Sequence, residues 1–343
     1  MGKIVNKTNR LFKFLLKYKK IIILIIIFFY LLHSQRLKIF KSHKKKIYKP
    51  ISIPVAFAID NKFTYPLIVL LTSILYNSSP NTFYFFYIMV TNDFYKGNEI
   101  KIYNLINKYP NCKITFYNMT DKYSNWTINN YYSISVYYRL SLSDLIRDFE
   151  KLIYLDCDTI VHEDLSELYN IEMGNNFYMG FPSLEISYMV INETRNFINS
   201  GVILINLKLL RKINASSIFK NFYKNYGTQK VDEYLINVIF YNHISFLPLK
   251  FGIPDFSKDI IYFNSPKQYW NIIKKFINGT RKNMILSSLH PSITHGAFTL
   301  KKWWNRNYNE LTKIGKKWIF YASKTHVFKE ICEIYIQFKE LCK

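Results

Sequence analysis

Short, continuously apolar segments alternate with amphipathic segments from Pro50 onward. Apolar strands joined by amphipathic helices are typical of a mainly parallel sheet that is covered by helices on both faces. The alternation therefore predicts an α/β fold with a single Rossmann-like, mostly parallel sheet, which would bind nucleotides at the carboxyl ends of its strands. The predicted elements are, in chain order, strand 53–59, helix 67–76, strand 83–90, helix 97–108, strand 113–117, helix 133–148, strand 151–155, strand 201–206 and helix 232–241.

The net charge of +24 arises from 47 Lys and Arg against 23 Asp and Glu, and its position along the chain limits what it can mean. Fourteen of the basic residues and no acidic residue lie within 1–50, which leaves +10 for the rest of the chain. A surface that reads nucleic acid would also favour the bidentate guanidinium of Arg, whereas Lys predominates here. The charge pattern therefore argues against a nucleic-acid partner.

An uncharged apolar run over 21–32 has seven basic residues on each side. As a helix this run rises only about 18 Å, but a longer helix with snorkelling lysines reaches the ~30 Å hydrocarbon core of a bilayer. A cleaved signal peptide is the alternative, although it needs small residues before the cut and only Ser34 is small there. We predict an uncleaved signal anchor, with a basic cytosolic tail (1–20), an anchor helix (21–34) and a basic stem (35–50).

The segment with the most chemical information is the strand over 151–155, which runs directly into Asp156 and Asp158. A spacing of two residues in extended backbone places both carboxylates on one side, at the carboxyl end of the strand. Two hard oxygen ligands suit Mg²⁺ or Mn²⁺, and either ion would neutralise a diphosphate leaving group. Most Asp-x-Asp sequences are solvated turns, so the pair by itself leaves both interpretations open.

Further motifs accompany this pair in a fixed order along the chain. They are Tyr137-Tyr-Arg139-Leu, Asp164-Leu-Ser-Glu-Leu168, Phe197-Ile-Asn-Ser-Gly-Val-Ile-Leu-Ile-Asn206 and His295-Gly-Ala-Phe298-Thr-Leu-Lys301-Lys-Trp303. With these motifs, residues 53–305 resemble glycosyltransferase family 8, the retaining group that contains glycogenin, the bacterial lipopolysaccharide galactosyltransferases and lumenal xylosyltransferases. The resemblance implies a GT-A catalytic domain over 51–305, followed by a C-terminal amphipathic helical extension over 306–343.

The resemblance also implies a metal site. Asp156, Asp158 and His295 match the metal ligands of the family, and two carboxylates with a neutral imidazole suit Mn²⁺ or Mg²⁺. The chain departs from the family's histidine pattern at Phe298, where relatives have Gly, and the neighbouring Gly296 is a partial substitute. Lys301 in the same pattern matches a point charge on the donor diphosphate.

Other matching positions imply contacts with a UDP-sugar donor. The catalytic candidates are Asp232, near the donor sugar, and Glu233, which stands where relatives often carry Gln. Glu233 is either a nucleophile or an ordinary acid in the first turn of a helix, and Glu185 is a candidate for a further family acid. The donor-binding positions are Ala58 and Asp60 at the uridine, Arg139 beside the diphosphate, Asn199 at the sugar, and Gly201, which would let the substrate approach the backbone.

Together these features predict a retaining hexosyl- or pentosyltransferase that moves a sugar from a UDP-sugar to an acceptor hydroxyl of a glycan, glycoprotein or glycolipid. One alternative is a catalytically inactive relative that binds nucleotide sugars. The other is a basic membrane-surface protein, because the C-terminal stretch is rich in Lys and bears Trp residues.

Localisation is predicted from the anchor and from glycosylation sequons. A signal anchor followed by an enzyme of this kind indicates a single-pass type II membrane protein of the Golgi or endoplasmic reticulum, with a lumenal catalytic domain. The four cysteines form no recognisable disulfide framework. Asn-x-Ser/Thr sequons that follow the anchor agree with a lumenal position, and they begin at Asn77, Asn118, Asn125, Asn192, Asn214 and Asn278.

Overall fold

A computed structural model describes residues 50–127, 133–183, 197–226, 232–254, 287, 289–296 and 313–335. The strands in this part of the chain are β1 (Ile51–Ala58), β2 (Thr82–Val90), β3 (Cys112–Asn118), β4 (Leu152–Leu155), β5 (Thr159–Val161), β6 (Tyr178–Pro182), β7 (Ile198–Ile205), β8 (Ile244–Phe246), β9 (Phe251–Pro254) and β10 (Ile293–His295). Among them, seven form one sheet in the order β3-β2-β1-β4-β7-β6-β8. The predicted α/β architecture on a central sheet is confirmed.

The main sheet is mostly parallel, as the sequence predicts. Parallel pairing joins β3, β2, β1 and β4, and β6 also pairs in parallel with β8. The exception is β7, which runs antiparallel to both β4 and β6. This reversal brings the amino end of β7 beside the carboxyl end of β4, where the Asp156 N–H donates to the Gly201 carbonyl at 2.7 Å.

A smaller sheet in the described part of the chain has the order β5-β10-β9. Strand β10 is antiparallel to β5, and this register pairs His295 with Thr159. Because Thr159 directly follows Asp158, the pairing places the end of β10 next to the Asp-x-Asp segment. The smaller sheet therefore carries a residue from late in the chain to the carboxyl edge of the main sheet.

Helices cover both faces of the main sheet. Alternate residues of β1 enter different cores, since Val55 and Phe57 belong to one buried apolar cluster and Ala56 belongs to another. Both faces are therefore dry, as expected for parallel strands. The helices are α1 (Thr64–Tyr76), α2 (Lys96–Ile106), α3 (Leu142–Leu145), α4 (Ser166–Tyr169), α5 (Leu207–Lys212), α6 (Ala215–Tyr226), α7 (Asp232–Ile239), α8 (Lys313–Ala322) and α9 (Phe328–Ile334), with 3₁₀ turns at Asn61–Phe63, Ile134–Ser141 and Tyr241–His243.

The amphipathic helix predicted over 133–148 is wrong in type and extent. The structure has a 3₁₀ helix over Ile134–Ser141, which the Ser133 side chain caps by accepting from the Ser135 N–H, and then the single turn α3. β-branched and aromatic residues, which favour α-helix less than Ala or Leu, are frequent in this segment. Its consecutive residues 137–141 are all buried, so it has no solvated face on which Arg139 could lie.

The C-terminal part of the described chain is helical, with α8 packed against α1. Trp318 of α8 is 1% exposed and belongs to the same apolar core as α1. Among the helices of the described ranges, none is long and apolar enough to cross a bilayer. The predicted anchor at 21–34 lies outside those ranges.

Candidate active site

Three residues predicted to bind metal converge at the edge of the main sheet. Asp156 follows β4, Asp158 precedes β5 and His295 ends β10. The imidazole Nε2 of His295 lies 3.1 Å from Asp158 Oδ1 and 4.0 Å from Asp156 Oδ2. One ligand atom from each residue lies within 4.8 Å of the others. The fold thus brings together side chains that are 137 residues apart in sequence.

The chemistry and spacing of this cluster fit a divalent cation. Ligand atoms at about 2.1 Å from one octahedral ion lie about 3.0 to 4.2 Å apart, a range that contains both distances from His295. Asp156, Asp158 and the nearby Asp232 bring more negative charge than Arg139 neutralises. Carboxylates with a neutral imidazole are a ligand set for Mn²⁺ or Mg²⁺. These residues would therefore hold either ion.

Gly201 on β7 is required by the same cluster. A Cβ atom at this position would lie 2.1 Å from Cε1 of His295 and 2.7 Å from Oδ2 of Asp156. Both side chains thus occupy the space that any larger residue would need. The structure places the side chains of two predicted metal ligands, His295 and Asp156, against the backbone of Gly201. Approach of the substrate to this backbone stays a prediction.

Arg139 lies under the cluster and is 5% exposed. Its guanidinium pairs with Asp156 Oδ1 at 2.9 Å and with Asp232 Oδ2 at 3.0 Å, and it donates to the Ser200 carbonyl. The ring of Tyr154 lies 4.1 Å from Cζ. Burial works against the charge, but Asp156 and Asp232 outweigh it and hold the pKa of Arg139 above its ordinary value. Contact with a donor diphosphate stays a prediction.

Asp232 is the first residue of α7 and is 2% exposed. Burial raises the pKa of its carboxyl group, while the ion pair with Arg139 acts in the opposite direction. Because Arg139 also pairs with Asp156, one guanidinium links the start of α7 to the Asp-x-Asp segment. The predicted catalytic candidate Asp232 is therefore an ion-pair partner of Arg139, which links it to the predicted metal ligand Asp156.

Glu233 accepts hydrogen bonds at both carboxylate oxygens. The Ser183 hydroxyl donates to Oε1 at 2.5 Å, while the Asn199 amide and the Ser200 N–H donate to Oε2 at 3.0 and 3.1 Å. In turn, Asn199 accepts from the Gly201 N–H at 3.0 Å. Glu233 thus orients the predicted sugar-binding residue Asn199 and the beginning of β7. A carboxylate so engaged is a weaker nucleophile than a free one.

Ala58 and Asp60 lie at the carboxyl end of β1, at the same sheet edge as Asp156. The parallel register pairs Ala56 with Tyr154. Continued by two residues along each strand, the same register sets Ala58 opposite Asp156. Asp60 caps the 3₁₀ turn that follows β1, and its Oδ1 accepts from the Lys62 N–H at 2.9 Å. Contact with a uridine stays a prediction for both residues.

The remaining sequence candidates divide into those inside and those outside the described ranges. Glu185, Phe298 and Lys301 lie outside them. Gly296 lies inside, and its N–H donates to the Asp158 carbonyl at 2.6 Å. A Cβ at Gly296 would approach that same carbonyl oxygen to 3.2 Å. Gly296 therefore packs directly against the Asp-x-Asp backbone, next to His295.

Among the described residues, sequence reasoning missed Tyr154, Ser183 and Ser200, which all contact predicted site residues. The Tyr154 hydroxyl donates to Asp156 Oδ1 at 3.0 Å, and the Ser183 hydroxyl donates to Glu233. Tyr154 could have been predicted, because residues two apart in a strand share a face and Tyr154 lies two residues before Asp156. Ser183 carries no such signal, because it reaches Glu233 only through the pairing of β6 with β7.

Comparison with known sequences adds independent information. The profile described as Glycosyl transferase family 8 matches residues 54–256 of this chain. A Haemophilus influenzae protein assigned to the glycosyltransferases is 24% identical over 265 residues, which cover 70% of this chain and 79% of the relative. The lipopolysaccharide 1,2-glucosyltransferase of Escherichia coli is 26% identical over 213 residues, which cover 58% of this chain and 61% of the relative.

Solved structures share the architecture. The galactosyltransferase LgtC, solved with donor and acceptor sugar analogues, has a TM-score of 0.63 at 19% identity and covers 80% of this chain and 96% of its own. The bifunctional glycosyltransferase WbbM has a TM-score of 0.67 at 21% identity and covers 82% of this chain, which spans about half (51%) of WbbM. At these identities the similarity shows the fold, which is of the GT-A kind.

Proposed function

This chain belongs to glycosyltransferase family 8, and we propose that it transfers a hexose or pentose from a UDP-sugar to a hydroxyl group of a glycan, glycoprotein or glycolipid, with retention at the anomeric carbon. The observation that carries the proposal is the convergence of Asp156, Asp158 and His295 at the carboxyl edge of the sheet. Open α/β sheets bind their ligands at this edge.

The three residues of the cluster would hold Mn²⁺ or Mg²⁺. When bound, the ion supplies positive charge that stabilises the departing diphosphate. Lys301, which lies outside the described residues, would add a point charge on the same oxygens. Arg139 pairs with both Asp156 and Asp232 beneath the site, so it offsets part of their negative charge and holds the two carboxylates in place.

Retention is achieved either by front-face attack or by double displacement. In front-face attack, the leaving phosphate oxygen takes the proton of the acceptor hydroxyl. Double displacement needs a nucleophile on the opposite face of the sugar, and Glu233 is the candidate from sequence. The hydrogen bonds that Ser183, Asn199 and Ser200 donate to Glu233 support front-face attack, with Glu233 as the residue that orients Asn199.

The substitution Glu233→Gln separates these routes. We expect kcat to stay within about tenfold of wild type, because the amide oxygen can accept from Asn199 and Ser200 while the NH₂ group donates to Ser183. Loss of a true nucleophile would lower kcat by roughly 10⁴-fold or more. Steady-state kinetics of UDP release distinguishes the outcomes, and a loss of that size would establish double displacement.

Membrane attachment is proposed through the anchor at 21–34, with the basic C-terminal region as a second contact. The domain would then be lumenal, in the Golgi or endoplasmic reticulum. The burial of Trp318 removes one of the aromatic residues on which a membrane-surface protein would depend.

The sequons provide a test of the lumenal location. The amide of Asn77 donates to the Ser73 and Val161 carbonyls and to the Tyr321 hydroxyl, so a glycan there is incompatible with this fold. Asn125 and Asn214 are exposed. We expect mass spectrometry of the protein from its native membrane to find glycans at one or both of these and none at Asn77. Unmodified asparagine at every sequon would contradict a lumenal domain.

The inactive-relative alternative is distinguished by comparing binding with turnover. Calorimetry of the full-length chain with UDP, with and without Mn²⁺, is expected to show binding that depends on the ion. Catalysis in addition requires UDP release that depends on the attached sugar. Binding without such release from any UDP-sugar would support a nucleotide-sugar-binding protein instead of an enzyme.

A further inference from the structure

The two oxygens of Asp156 have different surroundings. Oδ1 accepts from the Tyr154 hydroxyl at 3.0 Å and from Arg139 Nη2 at 2.9 Å. Oδ2 faces His295, with Nε2 at 4.0 Å, and lies within 2.7 Å of a Cβ built on Gly201. One oxygen is thus committed to the protein beneath the site, and the other is directed toward the predicted metal ligands.

Tyr154 can hold this arrangement because of its position in the strand. It precedes Asp156 by two residues in β4, so both side chains lie on the same face. Its ring is 1% exposed and is covered by the guanidinium of Arg139, whose Cζ lies 4.1 Å from the ring centroid. The phenol therefore has little freedom to move away from Asp156.

The geometry points to Tyr154 as a positioning residue for the metal ligand Asp156. By donating to Oδ1 together with Arg139, the tyrosine fixes the rotation of the carboxylate and presents Oδ2 to the cation. Arg139 alone is a poorer constraint, because the same guanidinium is shared with Asp232 and the Ser200 carbonyl. This inference rests on the proposed metal site, and it assigns a role to a residue that has no metal-binding atom of its own.

Two opposing effects follow from removal of the hydroxyl. The carboxylate would lose a hydrogen bond and become more basic, which favours the cation. It would also lose a fixed orientation, which disfavours the cation. Partners that orient metal ligands are generally worth 10- to 100-fold in metal affinity, so we expect the loss of orientation to dominate. The predicted effect of Tyr154→Phe is a rise of about tenfold or more in the dissociation constant for Mn²⁺.

The test is calorimetric titration of Mn²⁺ into the full-length protein in the absence of any donor. Tyr84→Phe is the matched control, because Tyr84 is also fully buried in the main sheet and donates to an aspartate, Asp164, at 2.9 Å. Both variants lose one tyrosine–aspartate hydrogen bond, and Tyr84→Phe also loses the bond that the Leu165 N–H donates to the Tyr84 hydroxyl at 3.2 Å. A merely structural role would therefore lower thermal stability in both variants and change metal affinity in neither.

The outcomes separate the two proposals. Weaker Mn²⁺ binding by Tyr154→Phe, with wild-type affinity in Tyr84→Phe, supports the positioning role. Equal or tighter binding by Tyr154→Phe, beside normal binding by the wild type, overturns that role and leaves the metal site intact. If the wild type itself binds no Mn²⁺, the proposed metal site and the role of Tyr154 both fail.

Discussion

Replacement of Asp156 by alanine is expected to lower the rate of sugar transfer by at least about 10³-fold, which corresponds to about 4 kcal/mol of transition-state stabilisation. The substitution removes one of the clustered oxygens that face His295. It also leaves the buried guanidinium of Arg139 without one of its two carboxylate partners, directly beneath the place where the cation would bind. The measurement is UDP release at saturating UDP-sugar and Mn²⁺.

A matched aspartate outside the cluster controls for general effects of this substitution. Asp144 is 39% exposed at its side chain and lies 3.8 Å from Lys122, a pair that contributes little because solvent screens it. Asp144→Ala is therefore expected to keep the wild-type rate. A rate for Asp156→Ala that matches Asp144→Ala would remove Asp156 from the catalytic machinery.

A second large effect, on Mn²⁺ affinity and stability, is expected from Gly201→Ala, which adds only one methyl group to the side chain. The new methyl group would overlap the imidazole of His295 and the carboxylate of Asp156, with nearest distances of 2.1 and 2.7 Å. Either both ligands turn away or the β7 backbone shifts. We expect Mn²⁺ affinity to fall by about 100-fold or more, with a loss of about 1–3 kcal/mol in the free energy of unfolding.

Mn²⁺ titration and thermal unfolding measure these two effects separately. Gly97→Ala is the control, because the three atoms nearest to its Cβ all belong to the ring of Tyr95, which is 66% exposed and can turn aside. The control is expected to keep both properties of the wild type. Normal Mn²⁺ binding by a folded Gly201→Ala protein would show that His295 and Asp156 do not act together on one ion.

The main sheet was predictable because its strands are continuously apolar. Residues such as Val55, Ala56 and Phe57 enter cores on opposite faces, so the strand pattern carries no polar face and reads as a buried parallel strand. The direction of β7 was not predictable, since a continuously apolar sequence does not indicate whether a strand runs parallel or antiparallel to its neighbours. That direction nevertheless determines the site, because it brings Gly201 beside Asp156.

The ligand set was predictable from motifs, whereas its supporting contacts were not. Asp156, Asp158 and His295 were identified through a family resemblance, and the structure brings them together. The segment containing Arg139 was expected to be an amphipathic helix with Arg139 in solvent. In the structure Arg139 is buried, and its charge is tolerated there because it pairs with both Asp156 and Asp232. Asp156 and Asp232 are distant from Arg139 in sequence, and no local sequence pattern predicts that both carboxylates pair with the same guanidinium.

The most direct test of the proposed glycosyl transfer is UDP release by the purified full-length chain across a panel of UDP-sugars with Mn²⁺. We predict release that depends on the identity of the sugar, stops when the cation is chelated, and is lost in Asp156→Ala. Release that is absent for every UDP-sugar, or that is the same in Asp156→Ala as in the wild type, would contradict a metal-dependent glycosyltransferase.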